Sequence, residues 1–176
     1  MPAARFIDQL NAQIGNELAA HNQYLACAIA YDALTMPQMA AFFYAQAGEE
    51  REHALMMVQY LLDTDSPVQI PAVGAPVSTF ADVVAPVTLA LAQEKSVTAQ
   101  INALLRIARE ESDFASEQFM QWFVKEQVEE VATMSDLLTV AERNRDNLEN
   151  IEEYVAREKS ADGEDPTAPP AAGAAD

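Results

Sequence analysis

The sequence predicts an all-α protein: a four-helix bundle with one long crossover connection and a short C-terminal fifth helix. Apolar residues recur at the 3–4 spacing of an amphipathic helix over four long segments. A proline-containing stretch that disfavours helix separates the second segment from the third. Only five of the 176 residues are glycine, so long helices can run without interruption.

The first two helices predict a hairpin. Helical periodicity runs from about Phe6 to Leu34, stops at residues 35–37 and resumes to about Asp63. Because this connection is so short, the two helices must pack as antiparallel neighbours. The third and fourth segments, about 82–110 and 113–143, are joined in the same way around Ser112 and predict a second hairpin.

Residues 64–80, TDSPVQIPAVGAPVSTF, connect the two hairpins. Three prolines and a glycine make a helix unfavourable here. About 17 residues at ~3.3 Å each can reach roughly 56 Å. A helix of about 28 residues is only about 42 Å long. The connection can therefore run the length of the bundle, so that the third helix lies parallel to the second.

Two shorter segments follow the second hairpin. Residues 146–159 predict a short fifth helix, with Asp146 and Glu149 at the spacing of a capping-box variant. Because so short a helix is marginal alone, we expect it to pack on another element or another subunit. Residues 159–176 are rich in Ala, Pro, Gly and Asp and predict a disordered tail. The expected organisation is one helical domain at 1–158 followed by that tail.

Composition and charge limit the possible partners. The net charge is −18, with 28 acidic against 10 basic residues, so nucleic acids and anionic membranes are not expected to bind. No apolar run approaches the ~20 residues of a membrane-spanning helix. The N-terminus lacks the features of a signal peptide, and Cys27 is the only cysteine. We therefore expect a cytoplasmic protein whose partners include cations.

Each long helix carries a glutamate on its apolar stripe. In the stretch QAGEEREH, His53 follows Glu50 by three residues, on the same stripe. Glu94 and Glu130 are equally far along the sequence from the turn at Ser112, which predicts that they lie at the same height. The polar residues of this predicted layer are Glu17, Glu50, His53, Glu94, Gln127 and Glu130.

Four carboxylates in one buried layer require a cation. Desolvation and repulsion would cost several kcal/mol per ion unless the carboxylates were protonated or paired. No Lys or Arg shares the stripes at that level. Two divalent metal ions would balance the charge, with His53 as a nitrogen ligand and Gln127 as a hydrogen-bonding or weakly ligating group. Oxygen-rich sites with one imidazole favour Fe or Mn over structural Zn.

The segments that carry these residues resemble the bacterial non-haem ferritins. They are NELAAHNQY (16–24), EEREHA (49–54), QEK (93–95) and QFMQWFVKEQVEEV (118–131), within a likeness that covers about residues 5–158. The resemblance implies a ferritin-like fold and an iron-storage ferroxidase that oxidises Fe(II) with dioxygen or peroxide. It also implies a homo-oligomeric cage of twenty-four subunits, with the fifth helix lining fourfold channels.

The resemblance also implies roles for individual residues. By this resemblance, one iron would be bound by Glu17, Glu50 and His53. The other would be bound by Glu50, Glu94 and Glu130, with Gln127 close by. Glu50 would bridge the two ions. A third iron would be held by Glu49, Glu126 and Glu129 together with Glu130; the alternative for the first three is a solvated acidic face. Tyr24 would donate an electron during oxygen reduction, or else be an amphipathic side chain anchored by its hydroxyl.

Two departures bear on the cofactor. In the bacterioferritins a haem-ligating Met follows the Glu of the second-helix motif, and here Arg51 follows Glu50, so haem is not expected. The fourth helix has no Glu-x-x-His, because Thr133 stands three residues after Glu130. The second iron would therefore lack an imidazole ligand, and we expect it to be held more weakly.

Other interpretations stay open at this point. A di-iron peroxidase or oxidase of the same superfamily would turn over without storing iron. A shell could instead nucleate mineral on acidic surfaces without an active centre. A metal-free helical interaction module is disfavoured, because unpaired buried carboxylates would destabilise it.

Overall fold

A computed structural model describes residues 2–158 and 165–174 of the chain. These residues form helices and connecting segments, without strands. The helices are α1 (Ala4–Ala33), α2 (Pro37–Asp63), α3 (Ala85–Glu110), α4 (Phe114–Arg143) and α5 (Leu148–Glu158). The predicted bundle of four long helices with a short fifth helix is confirmed. Among the described residues, no helix has the length and apolarity needed to cross a membrane.

The two hairpins pack together through α1 and α3. Helix α1 packs on α2, α3 packs on α4, and α1 contacts α3. Both hairpin turns contain a residue in the left-handed region, Thr35 (φ 59°) and Ser112 (φ 55°), which ends the preceding helix. Asp113 then caps α4 by accepting a hydrogen bond from the Ser116 N–H at 3.1 Å. These turns fix each pair of helices as antiparallel neighbours.

The crossover runs along α1 in the direction of α1. Three side chains of α1 bond in turn to successive parts of the crossover: Asn11 to the Pro67 carbonyl at 2.9 Å, Gln23 to the Val77 carbonyl at 2.8 Å, and Tyr31 to the Val83 carbonyl at 2.8 Å. The chain therefore returns to the end of the bundle where α2 begins, and α3 starts there, parallel to α2. The predicted long crossover is confirmed.

Helix α3 begins at Ala85, later than the predicted start near Asp82. The Asp82 carboxylate accepts hydrogen bonds from the backbone N–H groups of Val84 and Ala85, each at 2.9 Å. Side chains that bond to nearby backbone groups in this way favour a turn over a helix. The periodicity included these turn residues because Val83 and Val84 are buried like helix residues.

Helix α5 packs on α2 and α4 of its own subunit. Its apolar stripe buries Ile151 and Val155, and the Glu152 carboxylate accepts hydrogen bonds from two N–H groups at the start of α2, at 2.8 and 2.9 Å. A carboxylate at a helix N-terminus is favourable. The predicted capping box at Asp146 is wrong: Asn147 accepts from the Asn150 N–H at 3.4 Å instead.

Residues 165–174 contact α2 and α4, although a disordered tail was expected over 159–176. The Asp165 carboxylate accepts hydrogen bonds from the Trp122 indole N–H at 3.2 Å and from Lys125 at 3.1 Å. The Ala172 N–H donates to the Leu55 carbonyl at 3.0 Å. These hydrogen bonds anchor a segment that has no large apolar side chain to pack against the bundle. Residues 159–164 and 175–176 lie outside the described residues.

The core consists of two apolar clusters with a polar layer between them. One cluster contains Tyr31, Phe43 and Met134, and the other contains Leu10, Ile14 and Met57. The buried polar side chains between them include every member of the predicted layer: Glu17, Glu50, His53, Glu94, Gln127 and Glu130.

Candidate metal centre

Four glutamates, one from each long helix, converge in the polar layer. Helical spacing puts each on the buried seam of its helix. Their exposed fractions are Glu17 1%, Glu50 1%, Glu94 0% and Glu130 5%. His53 follows Glu50 by one turn of α2 and is 5% exposed. The layer predicted from the sequence is therefore a buried one.

The side-chain ligand atoms form two overlapping clusters. Glu17, Glu50 and His53 each offer one atom that lies within 4.8 Å of the others. Glu50, Glu94 and Glu130 form a second cluster by the same measure. Because Glu50 belongs to both, its carboxylate lies where two neighbouring cations could share it.

A third cluster extends towards the surface. It combines His53 and Glu130 with Glu126, which is partly buried on α4. Glu49 and Glu129, which were predicted to share a third site with Glu126, are exposed and belong to none of these three clusters. Glu129 lies 3.9 Å from the Lys125 ammonium. The structure thus brings Glu126 to the centre, and leaves Glu49 and Glu129 outside it.

Three buried carboxylate oxygens have no hydrogen-bond partner: Glu17 Oε2, Glu50 Oε2 and Glu130 Oε1. Among the described residues, the imidazole of His53 lies near two of these oxygens. Its Nδ1 is 3.7 Å from Glu50 Oε2 and 3.9 Å from Glu130 Oε1. No Lys or Arg within the described ranges forms an ion pair with these three glutamates. A buried carboxylate without a partner is unfavourable, so the unpaired oxygens are the atoms that a bound cation would satisfy.

Neutral donors hold most of the other carboxylate oxygens. The Gln13 amide donates to Glu17 Oε1 at 2.9 Å. The Tyr24 hydroxyl donates to Glu94 Oε1, and the Gln127 amide donates to Glu94 Oε2 at 3.3 Å and also to Glu130 Oε2. Glu17 and Glu130 therefore each have one restrained and one unpaired oxygen.

Gln127 is oriented as a hydrogen-bonding group. Its carbonyl oxygen accepts from the Thr98 hydroxyl at 2.8 Å, so its NH₂ group points to the carboxylates. Of the two roles predicted for this amide, the geometry favours hydrogen bonding over ligation, since the oxygen that would bind a metal is already engaged.

Gln13 and Thr98 are two residues of the centre's hydrogen-bond network that were not predicted from the sequence. Gln13 lies one helical turn before Glu17, a spacing at which side chains interact, and this is the signal that could have found it. The bond of Thr98 to Gln127 depends on how α3 and α4 face each other, which neither helix's sequence shows. His21 lies on the same stripe as Glu17 and bonds to the Ala47 carbonyl at 2.7 Å, which fits a structural role.

Burial raises the pKa of Glu50 and Glu130 well above the ordinary value of 4.5, and neighbouring carboxylates raise each further. Burial also raises the pKa of Glu94, against the lowering effect of its hydrogen bonds from Tyr24 and Gln127. The pKa of Tyr24 is raised by burial and by the charge of Glu94, so its hydroxyl keeps its proton. Without a cation, the centre therefore retains protons that a metal ion would displace.

Aromatic rings enclose the imidazole of His53. The rings of Trp122 and Phe123 stand edge-on to it, with centroids at 5.6 and 5.8 Å. Such packing limits the rotation of the ring and excludes water from one side of the centre. His53 is thereby held next to both Glu50 and Glu130.

Fold and site together define a class of protein: a helical bundle that projects carboxylates from all four helices into its core, as metal-binding bundles do. The family model for the ferritin-like domain matches residues 7–144. The chain belongs to the ferritin family.

Known proteins of this family resemble the chain over three quarters of its length or more. It is 52% identical over 171 residues to the ferritin BfrB of Mycolicibacterium smegmatis, covering 97% of this chain and 94% of the relative. It is 35% identical to a bacterial non-heme ferritin of Staphylococcus aureus, over 75% of this chain and 80% of the relative. An open-pore ferritin of Archaeoglobus fulgidus matches the fold with a TM-score of 0.86 at 27% identity, over 93% of this chain and 100% of that chain.

Proposed function

We propose that this protein is an iron-storage ferroxidase, which oxidises Fe(II) at a centre inside each subunit and retains the ferric product. The observation that carries the proposal is the pair of overlapping buried clusters with three unpaired carboxylate oxygens. Their donor set, carboxylates with one imidazole and no thiolate, suits Fe(II). Membership of the ferritin family, with relatives named ferritin at 46 and 52% identity, supports the storage role.

The two clusters give the proposed ligand sets. Glu17, Glu50 and His53 would bind one Fe(II), and Glu50, Glu94 and Glu130 the other, with Glu50 between them. The second set contains no imidazole, so its iron is held less tightly. Glu126 supports a third site next to Glu130, to which Glu49 and Glu129 would contribute only after side-chain movement.

Each Fe(II) gives up one electron to dioxygen or peroxide. The protein's part is to hold two ions close enough to react with one oxidant molecule. Because burial raises the pKa of Glu50 and Glu130, iron competes with protons for these carboxyls. The Tyr24 hydroxyl holds the Glu94 carboxylate, and its position in the centre is also compatible with its predicted role as an electron donor.

The ferric product is proposed to collect inside a cage of identical subunits. Twenty-four subunits are expected from the family resemblance, and the solved structures that share the fold include ferritins. The net charge of −18 suits a protein that attracts and retains cations.

We also assign the chain to the non-haem group. Arg51, which stands where bacterioferritins have the haem-ligating Met, is exposed on α2 and has no thioether to offer haem iron. Relatives carry both names, since one Mycobacterium tuberculosis relative at 46% identity is called bacterioferritin BfrB. The absorption spectrum of protein made in haem-replete cells tests this: no Soret band is expected, and a stoichiometric one would contradict it.

Glu50→Ala tests the ferroxidase assignment. Because both clusters lose a ligand, initial oxidation of Fe(II), followed by absorbance at low iron loading, should slow by at least about 100-fold, since even supporting residues of metal sites cost 10–100-fold. Glu52→Ala, an exposed glutamate on the same helix, is the control and should oxidise iron like the wild type. An unchanged rate in Glu50→Ala would refute the assignment.

A further inference from the structure

Gln13 is fully buried on α1, and within the described residues its side chain bonds to Glu17 and Asn16. Its exposed fraction is 0%. Its Nε2 donates to Glu17 Oε1 at 2.9 Å, and its Oε1 accepts from the Asn16 amide at 2.9 Å. Because a carboxylate oxygen can only accept, the Gln13 NH₂ group must face Glu17, and Gln13 Oε1 is left to accept from Asn16. The donor end of Gln13 is therefore held towards Glu17.

The hydrogen bond from Gln13 makes the two oxygens of the Glu17 carboxylate unequal. Oε1 is occupied by Gln13, while the buried Oε2 has no partner. A carboxylate held in this way offers a cation one oxygen in a fixed direction. Without the amide, the Glu17 carboxyl could rotate and bind through either oxygen or both.

Gln13 differs from the other buried glutamine of α1, which maintains the fold. Gln23 bonds to both backbone groups of Val77 and so ties the crossover to α1. The hydrogen bonds of the Gln13 side chain, within the described residues, reach no other segment of the chain. Its bonds therefore serve Glu17 and not the packing of the bundle.

We propose that Gln13 is a positioning residue, which fixes Glu17 as a one-oxygen ligand and so sets the affinity of the cluster that contains His53. The inference rests on the proposed function, since it concerns the same centre. On the other side of the centre, Gln127 and Tyr24 hold Glu94 and Glu130. Removal of Gln13 therefore affects one of the two sites selectively.

The test is anaerobic titration of the assembled protein with Co(II), which stands in for Fe(II) without being oxidised. Gln13→Met keeps the length of the side chain and removes its hydrogen bonds. The affinity of one site should fall about 10–100-fold, the usual effect of losing a residue that supports a metal ligand. The other site should bind as in the wild type.

Proton NMR identifies the weakened site. Co(II) bound to His53 shifts the resonances of that imidazole, and His53 is the only histidine in the centre, His21 being the other in the chain. In Gln13→Met these shifted resonances should appear only at the higher Co(II) concentration. Gln23→Met, which also removes a buried amide from α1, is the matched control and should leave both Co(II) affinities unchanged.

Each result has a defined meaning. If wild-type protein fails to bind two Co(II) per chain, the proposed function itself fails. If the wild type binds them and Gln13→Met does so with the same affinities, or loses both sites equally, the inference alone is overturned. If Gln13→Met does not assemble, Asn16→Ala decides, because it removes the hydrogen bond to Gln13 Oε1 and so loosens the hold on the Gln13 amide. It should weaken the His53 site by a smaller factor, and an unchanged site would overturn the inference.

Discussion

At the scale of single residues, Glu50 and Glu130 determine how the stability of the iron-free protein responds to pH. Both are deeply buried next to other carboxylates, and both have a raised pKa. A carboxyl whose pKa is raised in the folded state stabilises the fold most when pH is below its unfolded pKa, and this contribution is lost as pH rises. The iron-free protein should therefore lose stability from these groups as pH rises above about 4.5.

Replacement of Glu50 by Gln should reduce this pH dependence. The neutral amide has about the same shape and no proton to lose, so the fall in thermal unfolding midpoint between about pH 5 and pH 8 should be smaller than in the wild type, both in chelator. Co(II) should stabilise the wild type more at the higher pH, because metal binding displaces protons. If Glu50→Gln showed the same pH dependence as the wild type, the raised pKa of Glu50 would be contradicted.

Most ligand candidates could be predicted at this scale because a carboxylate on an apolar stripe is chemically conspicuous. Glu17, Glu50, Glu94 and Glu130 were found in this way, and the structure buries all four. Gln13 was not found, because a neutral amide breaks no charge rule and, unlike Gln127, it lies outside the segments that carry the family resemblance. The exposed positions of Glu49 and Glu129 depend on the rotation of α2 and α4 about their axes, which a resemblance in sequence does not specify.

At the scale of elements, the segment 165–174 is the part of the chain that departs most from expectation. Composition predicts disorder for it, yet Asp165 bonds to Trp122 and Lys125. Hydrogen bonds from Thr167 lower the pKa of Asp165, so the carboxylate stays charged and able to accept from both. Disorder predictions from composition average over a segment, and a single well-placed acceptor is lost in that average.

Removal of the residues after 158 should change the fluorescence of Trp122, the only tryptophan. The indole N–H loses its carboxylate acceptor and gains contact with water, so the emission maximum should shift to longer wavelength. Asp165→Ala should reproduce part of the shift. Thr133→Ala, at an exposed position further along α4, is the control and should leave the emission unchanged. Emission in the truncated protein equal to that of the full chain would show that the tail does not cover Trp122.

The long helices and their order followed from the sequence because turn signals and periodicity agreed. Asp113 marks a predicted helix start that the structure confirms, and α2 begins at Pro37, the last residue of the predicted break at 35–37. The start of α3 was placed too early, since the turn residues Val83 and Val84 are buried like residues of a helix. Element ends depend on local hydrogen bonds, such as those of Asp82, that compete with helix formation.

At the scale of the whole molecule, the two hairpins enclose a charged layer that separates two apolar clusters. Apolar packing on both sides supplies the stability that the layer lacks without metal. The proposed cage adds a compartment for the oxidised iron. Storage is therefore a property of the assembly, whereas oxidation is a property of each bundle.

The iron retained per chain measures both properties together. Excess Fe(II) is added in air, the sample is passed through gel filtration, and iron and protein are determined in the fraction of large assemblies. We expect many iron ions per chain, eluting with a large assembly. Retention of only about two iron ions per chain, the number that a two-metal centre holds, would contradict storage and indicate a di-iron oxidase or peroxidase that does not store iron.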